Sequence, residues 1–159
     1  MINVIFAVKF IHVLAAAMMF GTWLCLALFM VLAHRSGNTS VVALVSQFVV
    51  TVEKIVMIPA IVLQPISGFP LASVIGLQPF GEIWILVSLV FFALIVVCWI
   101  LAMRTEIRIR GLAREAALES EPLPKSYRRH FRAWCSLAVP LLMAMALVFA
   151  LMIWQPRLD

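Results

Sequence analysis

Residues 84–103 read WILVSLVFFALIVVCWILAM, twenty positions without a charge. A helix needs ~20 apolar residues to cross ~30 Å of hydrocarbon, so this stretch has the length and composition of a transmembrane span. Three more stretches qualify on either side of it. Val4 to Ala33 holds Lys9 as its one permanent charge, while Ile55 to Ile75 and Trp134 to Trp154 hold none. Hydrophobic residues make up 65% of the chain and charged residues 12%, against ~45–50% and ~25% in soluble domains. Lipid is the solvent such a surface fits.

The expected fold is therefore all-α: one integral membrane four-helix bundle with hairpin connections. The spans fall at about 4–33, 41–74, 84–103 and 134–154, with a basic connection over 104–133. The first segment lacks a basic leader and exceeds the apolar length of a signal peptide, so it reads as a retained helix. The second is the least regular. Val41 to Val52 is apolar at helical spacing, Glu53 and Lys54 follow, and Pro59, Pro65 and Pro70 interrupt the remainder. Each proline removes a backbone donor, which predicts a long, proline-kinked helix entering lipid near Lys54. A re-entrant segment after Gln64 is the alternative.

Basic residues set the expected orientation. Arg104, Arg108, Arg110, Arg114, Lys125, Arg128, Arg129 and Arg132 crowd the third connection, Arg35 and Lys54 flank the first, and Gly76 to Ile83 has neither Lys nor Arg. The positive-inside rule puts both termini outside and the basic connections in the cytoplasm. Trp84, Trp134 and Trp154, at span ends, read as headgroup anchors. Glu106, Arg110 and Arg114 at four-residue spacing carry the third helix on to a break at Glu121 to Pro124. Most of the cations behind the net charge of +5 lie in this juxtamembrane segment, where anionic lipid attracts them, so membrane lipid is the expected partner and nucleic acid is not. Cys25, Cys98 and Cys135 have no metal-ligand spacing and read as buried free thiols. The spans show no phosphate loop and no paired carboxylates, and no residue is singled out as catalytic.

Polar residues inside lipid remain as candidates. His12 lies about 13 Å into the first span at 1.5 Å per residue. Lys9 stands one turn before it, and Ala16, Met19 and Trp23 continue its face. Imidazole ligates haem iron and small neighbours admit a macrocycle, while an interhelical hydrogen bond is the structural alternative. Lys9 either steers a propionate or snorkels. Counting inward from the outer ends brings Gln64, Ser67 and Gly68 to the level of His12 on the second helix, and Met143 and Met145 on the fourth. Gln64 is placed to bond His12, a cofactor group or a carbonyl freed by a proline. His34 and His130 fall at the opposite end, so methionine, an open position or a second chain would complete an iron site at His12.

The first helix, with Lys9-Phe10-Ile11-His12-Val13 and Gly21, resembles the opening helix of HemJ-type protoporphyrinogen oxidases and CopD-like domains. The likeness to the former implies haem b held by His12 in a membrane oxidoreductase, although Leu26-Ala27-Leu28-Phe29 stands where that family has Leu-Pro-Arg-Leu. Pro59 to Gly68, Trp84, Cys98-Trp99, Arg104 to Ala113, Leu123-Pro124, Tyr127, Trp134 and Leu151 to Pro156 resemble the bacterial membrane family called domain of unknown function 2269. That resemblance implies four helices. Two functions follow as expectations. One is a haem b electron-transfer protein with a quinone or redox protein as partner. The other is a non-catalytic subunit, or a small-molecule or metal binder, working as a homo-oligomer or beside another subunit, in which His12 and Gln64 are structural.

Overall fold

A computed structural model of the chain describes residues 2–74, 76–77 and 81–155. Four helices carry it: α1 over Ile2–Ser36, α2 over Thr39–Val74, α3 over Ile83–Leu118 and α4 over Lys125–Trp154. All four are long and apolar enough to cross a membrane, and the described residues include no strand. Part of the loop expected over Gly76 to Ile83, and Pro156 of the last motif, lie outside the described residues.

Local chemistry explains the turns. Between α1 and α2, Gly37 takes φ +67°, and the Asn38 side chain accepts from the backbone N–H groups of Ser40 (2.9 Å) and Val41 (3.3 Å). This is an N-cap satisfying two donors that a helix start leaves free. α3 stops in a Schellman turn, in which Glu121 N–H donates to the Ala116 carbonyl at 2.9 Å and Ser120 takes φ +57°. Pro122 and Pro124 prevent the helix from resuming before Lys125. Thr39 Oγ1 donates to the Glu121 carbonyl at 3.3 Å, so the two basic connections share one end of the bundle. We call this the basic end.

The sequence reading of α2 as one long helix holds, and two other points need correction. α2 runs through Gln64, Pro65 and Pro70 as helix, which removes the re-entrant alternative. Its departure from α geometry is a π turn at Glu53–Met57, upstream of all three prolines, where Ile58 N–H donates to the Glu53 carbonyl. The segment 104–133 is helical except at its proline break, so α4 starts at Lys125 rather than near Trp134. α2 and α3, 36 residues each, measure about 54 Å. They outrun the ~30 Å hydrocarbon core by several turns.

α3 packs along α4 and the first half of α2, and α1 packs along α2. α1 meets α4 through rings: Phe20 against Phe149 (5.8 Å, edge-on), Trp23 stacked on Trp134 (5.7 Å, 8°) and His34 on Phe131 (3.8 Å). These pairings run antiparallel. Lipid tails give no hydrophobic drive to helix association, so close packing must hold the bundle. Buried Ala102, Ala113, Ala116, Ala138 and Ala144 let the backbones of α3 and α4 approach, while Phe6, Phe10, Leu44 and Val90 face outward.

Candidate functional site

The polar groups gather in two places. Near the end away from the basic connections, the half-buried His12 of α1 meets α2. His12 Nδ1 lies 2.9 Å from Ser67 Oγ, and the Gln64 amide donates to the His12 carbonyl at 3.1 Å. Ser67 has one hydroxyl hydrogen, and its oxygen sits 2.5 Å from the Leu63 carbonyl, to which that hydrogen goes. Ser67 therefore accepts from His12, the ring carries its proton on Nδ1, and Nε2 keeps a lone pair. The Cε1 corner of the imidazole lies against Gly68, where an added Cβ would stand 3.1 Å from it. Gly68 makes room for the histidine itself.

The other sequence candidates scatter. Lys9 is exposed, Ala16 half-buried and Met19 buried in the core. Met143 is 67% exposed on the outer face of α4. Met145 is buried in the core cluster that also holds Met19 and Trp23. Beside His12, an apolar groove of ≈ 110 Å³ runs between Ile11, Leu14, Ala15, Met18 and Pro59, Ala60, Leu63.

The second place lies about 21 Å farther along α2 at 1.5 Å per residue. Glu53 of α2 and Glu106 of α3 are each 1% exposed and lie within electrostatic reach of each other. The Trp99 indole N–H, from α3, donates to Glu53 Oε2, and the Trp134 N–H, from α4, donates to Glu106 Oε1 at 2.7 Å. Trp23 of α1 stacks on Trp134, so all four helices contribute. Glu53 Oε1, Glu106 Oε2 and Trp23 Nε1 are buried with no hydrogen-bond partner among the described residues. Neighbouring Lys54, Arg104 and Arg108 are exposed and turn away. An isolated buried carboxylate costs several kcal/mol unless a partner or a proton offsets it.

This pair corrects the expectation of no paired carboxylates. The apolar runs mark lipid contact, and both glutamates lie just beyond them, yet α2 and α3 extend past the runs as packed helices. A helical stripe was the missed signal. Val42, Ser46, Val49, Glu53, Met57 and Ala60 occupy one face of α2, and Ala102, Glu106, Ile109, Ala113 and Ala116 one face of α3, all buried. Each glutamate holds a core position. Trp84 and Trp134, expected as headgroup anchors, are interior residues at 7% and 1% exposure, whereas Trp154 is exposed. Cys25, expected buried, is exposed. His34, placed at the opposite end from His12, bonds the Tyr127 hydroxyl at 3.1 Å and stacks on Phe131.

Among the described residues no three His, Cys, Asp or Glu side chains converge as a metal site. The family model described as "Predicted integral membrane protein (DUF2269)" matches residues 6–156. No curated protein and no solved structure matches the chain.

Proposed function

Because the chain belongs to the DUF2269 family of predicted integral membrane proteins, we propose that it is a multi-pass membrane protein that binds and releases a proton at Glu53 and Glu106. One observation carries this reading: two fully buried carboxylates, each with one oxygen on an indole N–H and the other without a partner among the described residues. A divalent cation such as Ca²⁺ wants six to eight oxygens, and a structural zinc site four ligands. Two orphan oxygens suffice for a proton. Ionisable groups that stay inside a membrane bundle commonly form such relays. With the basic connections in the cytoplasm of a bacterial inner membrane, the pair sits near the cytoplasmic edge of the hydrocarbon.

The test is infrared spectroscopy across a pH titration, comparing the wild type with Glu53→Gln, Glu106→Gln and the double variant. Glutamine keeps an oxygen for each indole, so the bundle should persist. We expect a protonated-carboxyl stretch that weakens in each single variant and is absent from the double variant. Wild-type and double-variant spectra that superimpose at every pH would remove the proposal.

A second reading, haem b at His12, has one observation in its favour. A ring fixed through Nδ1 to Ser67, with a free lone pair on Nε2, is oriented as metal-ligating histidines are. Within one chain the surroundings do not fit a macrocycle. The niche at Gly68 is filled by the imidazole, Met145 is packed into the core, and the adjoining groove of ≈ 110 Å³ is far below the ~300–1,000 Å³ of ligand pockets. A haem there would lie on the lipid-facing surface or between two copies, with a quinone or redox protein as its electron partner. A reduced-minus-oxidised visible spectrum of protein expressed with haem precursor decides it. A b-type band that His12→Ala abolishes supports the reading, and a colourless protein ends it.

A further inference from the structure

We propose that the groove between α3 and α4 at Arg104 and Arg108 is a binding site for a phosphate group, that of an anionic phospholipid. Leu101, Arg104, Thr105 and Arg108 form one stripe of α3, and with Leu137 of α4 they line a groove of ≈ 300 Å³. The volume is at the lower end of ordinary ligand sites.

The chemistry of the walls selects the occupant. Among the described residues no carboxylate lines the groove. Glu106, which lies between the two arginines in sequence, is turned into the core and bonded to Trp134. Neither guanidinium has an ion-pair or hydrogen-bond partner among the described residues. Thr105 spends its hydroxyl hydrogen on the Leu101 carbonyl at 2.9 Å, so only the arginines are left to donate. Two guanidiniums one helical turn apart present planar forks that match phosphate oxygens.

Position selects the source. Arg104 is the first charge after the uncharged run 84–103, which puts it at the depth of lipid headgroups when that run spans the hydrocarbon. Leu101 lies on the apolar side of the arginines, and Leu137 closes the groove from α4. The walls thus change from apolar to cationic along the helix, as a lipid changes from acyl chain to phosphate.

The experiment is native mass spectrometry of the detergent-purified chain with phosphatidylglycerol, phosphatidylcholine or inorganic phosphate added. The wild type and an Arg128→Gln/Arg129→Gln control, which changes two exposed arginines of α4, should retain phosphatidylglycerol and shed phosphatidylcholine. Arg104→Gln/Arg108→Gln should weaken retention by about tenfold or more, since each basic residue near an anionic surface contributes appreciably. Leu137→Trp keeps both charges, fills the groove and should weaken retention as well, which covers the case in which the double variant folds poorly. Competition by inorganic phosphate would reassign the site to free phosphate and overturn the lipid source. Unchanged retention in both groove variants, or equal loss in the control, would overturn the site.

Discussion

A carboxylate held by one indole, with its second oxygen bare, is a costly arrangement, and this molecule has it twice, at Glu53 and Glu106. The contact at His12 is of the opposite kind, because the ring proton and the Ser67 hydroxyl hydrogen each have an acceptor. Gly68 is its weak point. A Cβ at 68 would press on His12 Cε1 at 3.1 Å and push the ring off Ser67. Gly68→Ala should therefore cost ~0.6 kcal/mol, the average worth of an interhelical hydrogen bond in membranes, read as a lower thermal midpoint in detergent. In a His12→Ala background that cost should disappear; an equal cost in both backgrounds would show that the ring is not what Gly68 accommodates. The meeting of His12, Gln64, Ser67 and Gly68 was legible from sequence, because counting residues inward from two helix ends gives depth. The glutamate pair was not, since its two members and their partners are spread over all four helices and no count along one helix reveals them.

Among the elements, the ends of α3 and α4 show what hydropathy misses. An apolar window follows lipid, so it stops at Met103 and restarts at Trp134, whereas the helices follow backbone chemistry to Leu118 and from Lys125. The break itself was readable from Pro122 and Pro124. Its cap was less so, because Ser120 occupies the left-handed position (φ +57°) that glycine usually fills. The left-handed region costs a side-chain-bearing residue about 1 kcal/mol. Ser120→Gly should raise the unfolding midpoint by up to that amount, measured by thermal melting in detergent, and a lowered midpoint would mean that the serine side chain contributes more than the strain it bears. The π turn of α2 was likewise hidden. It marks the place where Glu53 faces the core, and π turns are frequent at functional sites.

For the molecule as a whole, the two polar centres lie toward opposite ends of the bundle, and their assignment to membrane faces depends on sidedness. With Cys25, Cys98 and Cys135 replaced by alanine, Ser120→Cys should resist a membrane-impermeant maleimide in intact cells and react after lysis, while Gly81→Cys should react in intact cells. The reverse pattern would turn the bundle over and move the glutamate pair to the outer face. The four-helix architecture was legible because lipid imposes composition over twenty-residue lengths. The core was less so, because lipid-facing and buried positions are equally apolar, and only the polar exceptions betray which face is inside.

The stack of Trp23 on Trp134, with centroids 5.7 Å apart and ring planes 8° from parallel, has an optical consequence. Two indoles so close couple their electronic transitions, and in a chiral frame such coupling splits into a pair of near-ultraviolet circular dichroism bands of opposite sign. The bundle thus carries a built-in gauge of the α1–α4 contact. Trp23→Phe should erase the couplet while leaving the Trp134 bond to Glu106 in place. Any condition that pries α1 from α4 should dim it before the helices themselves melt.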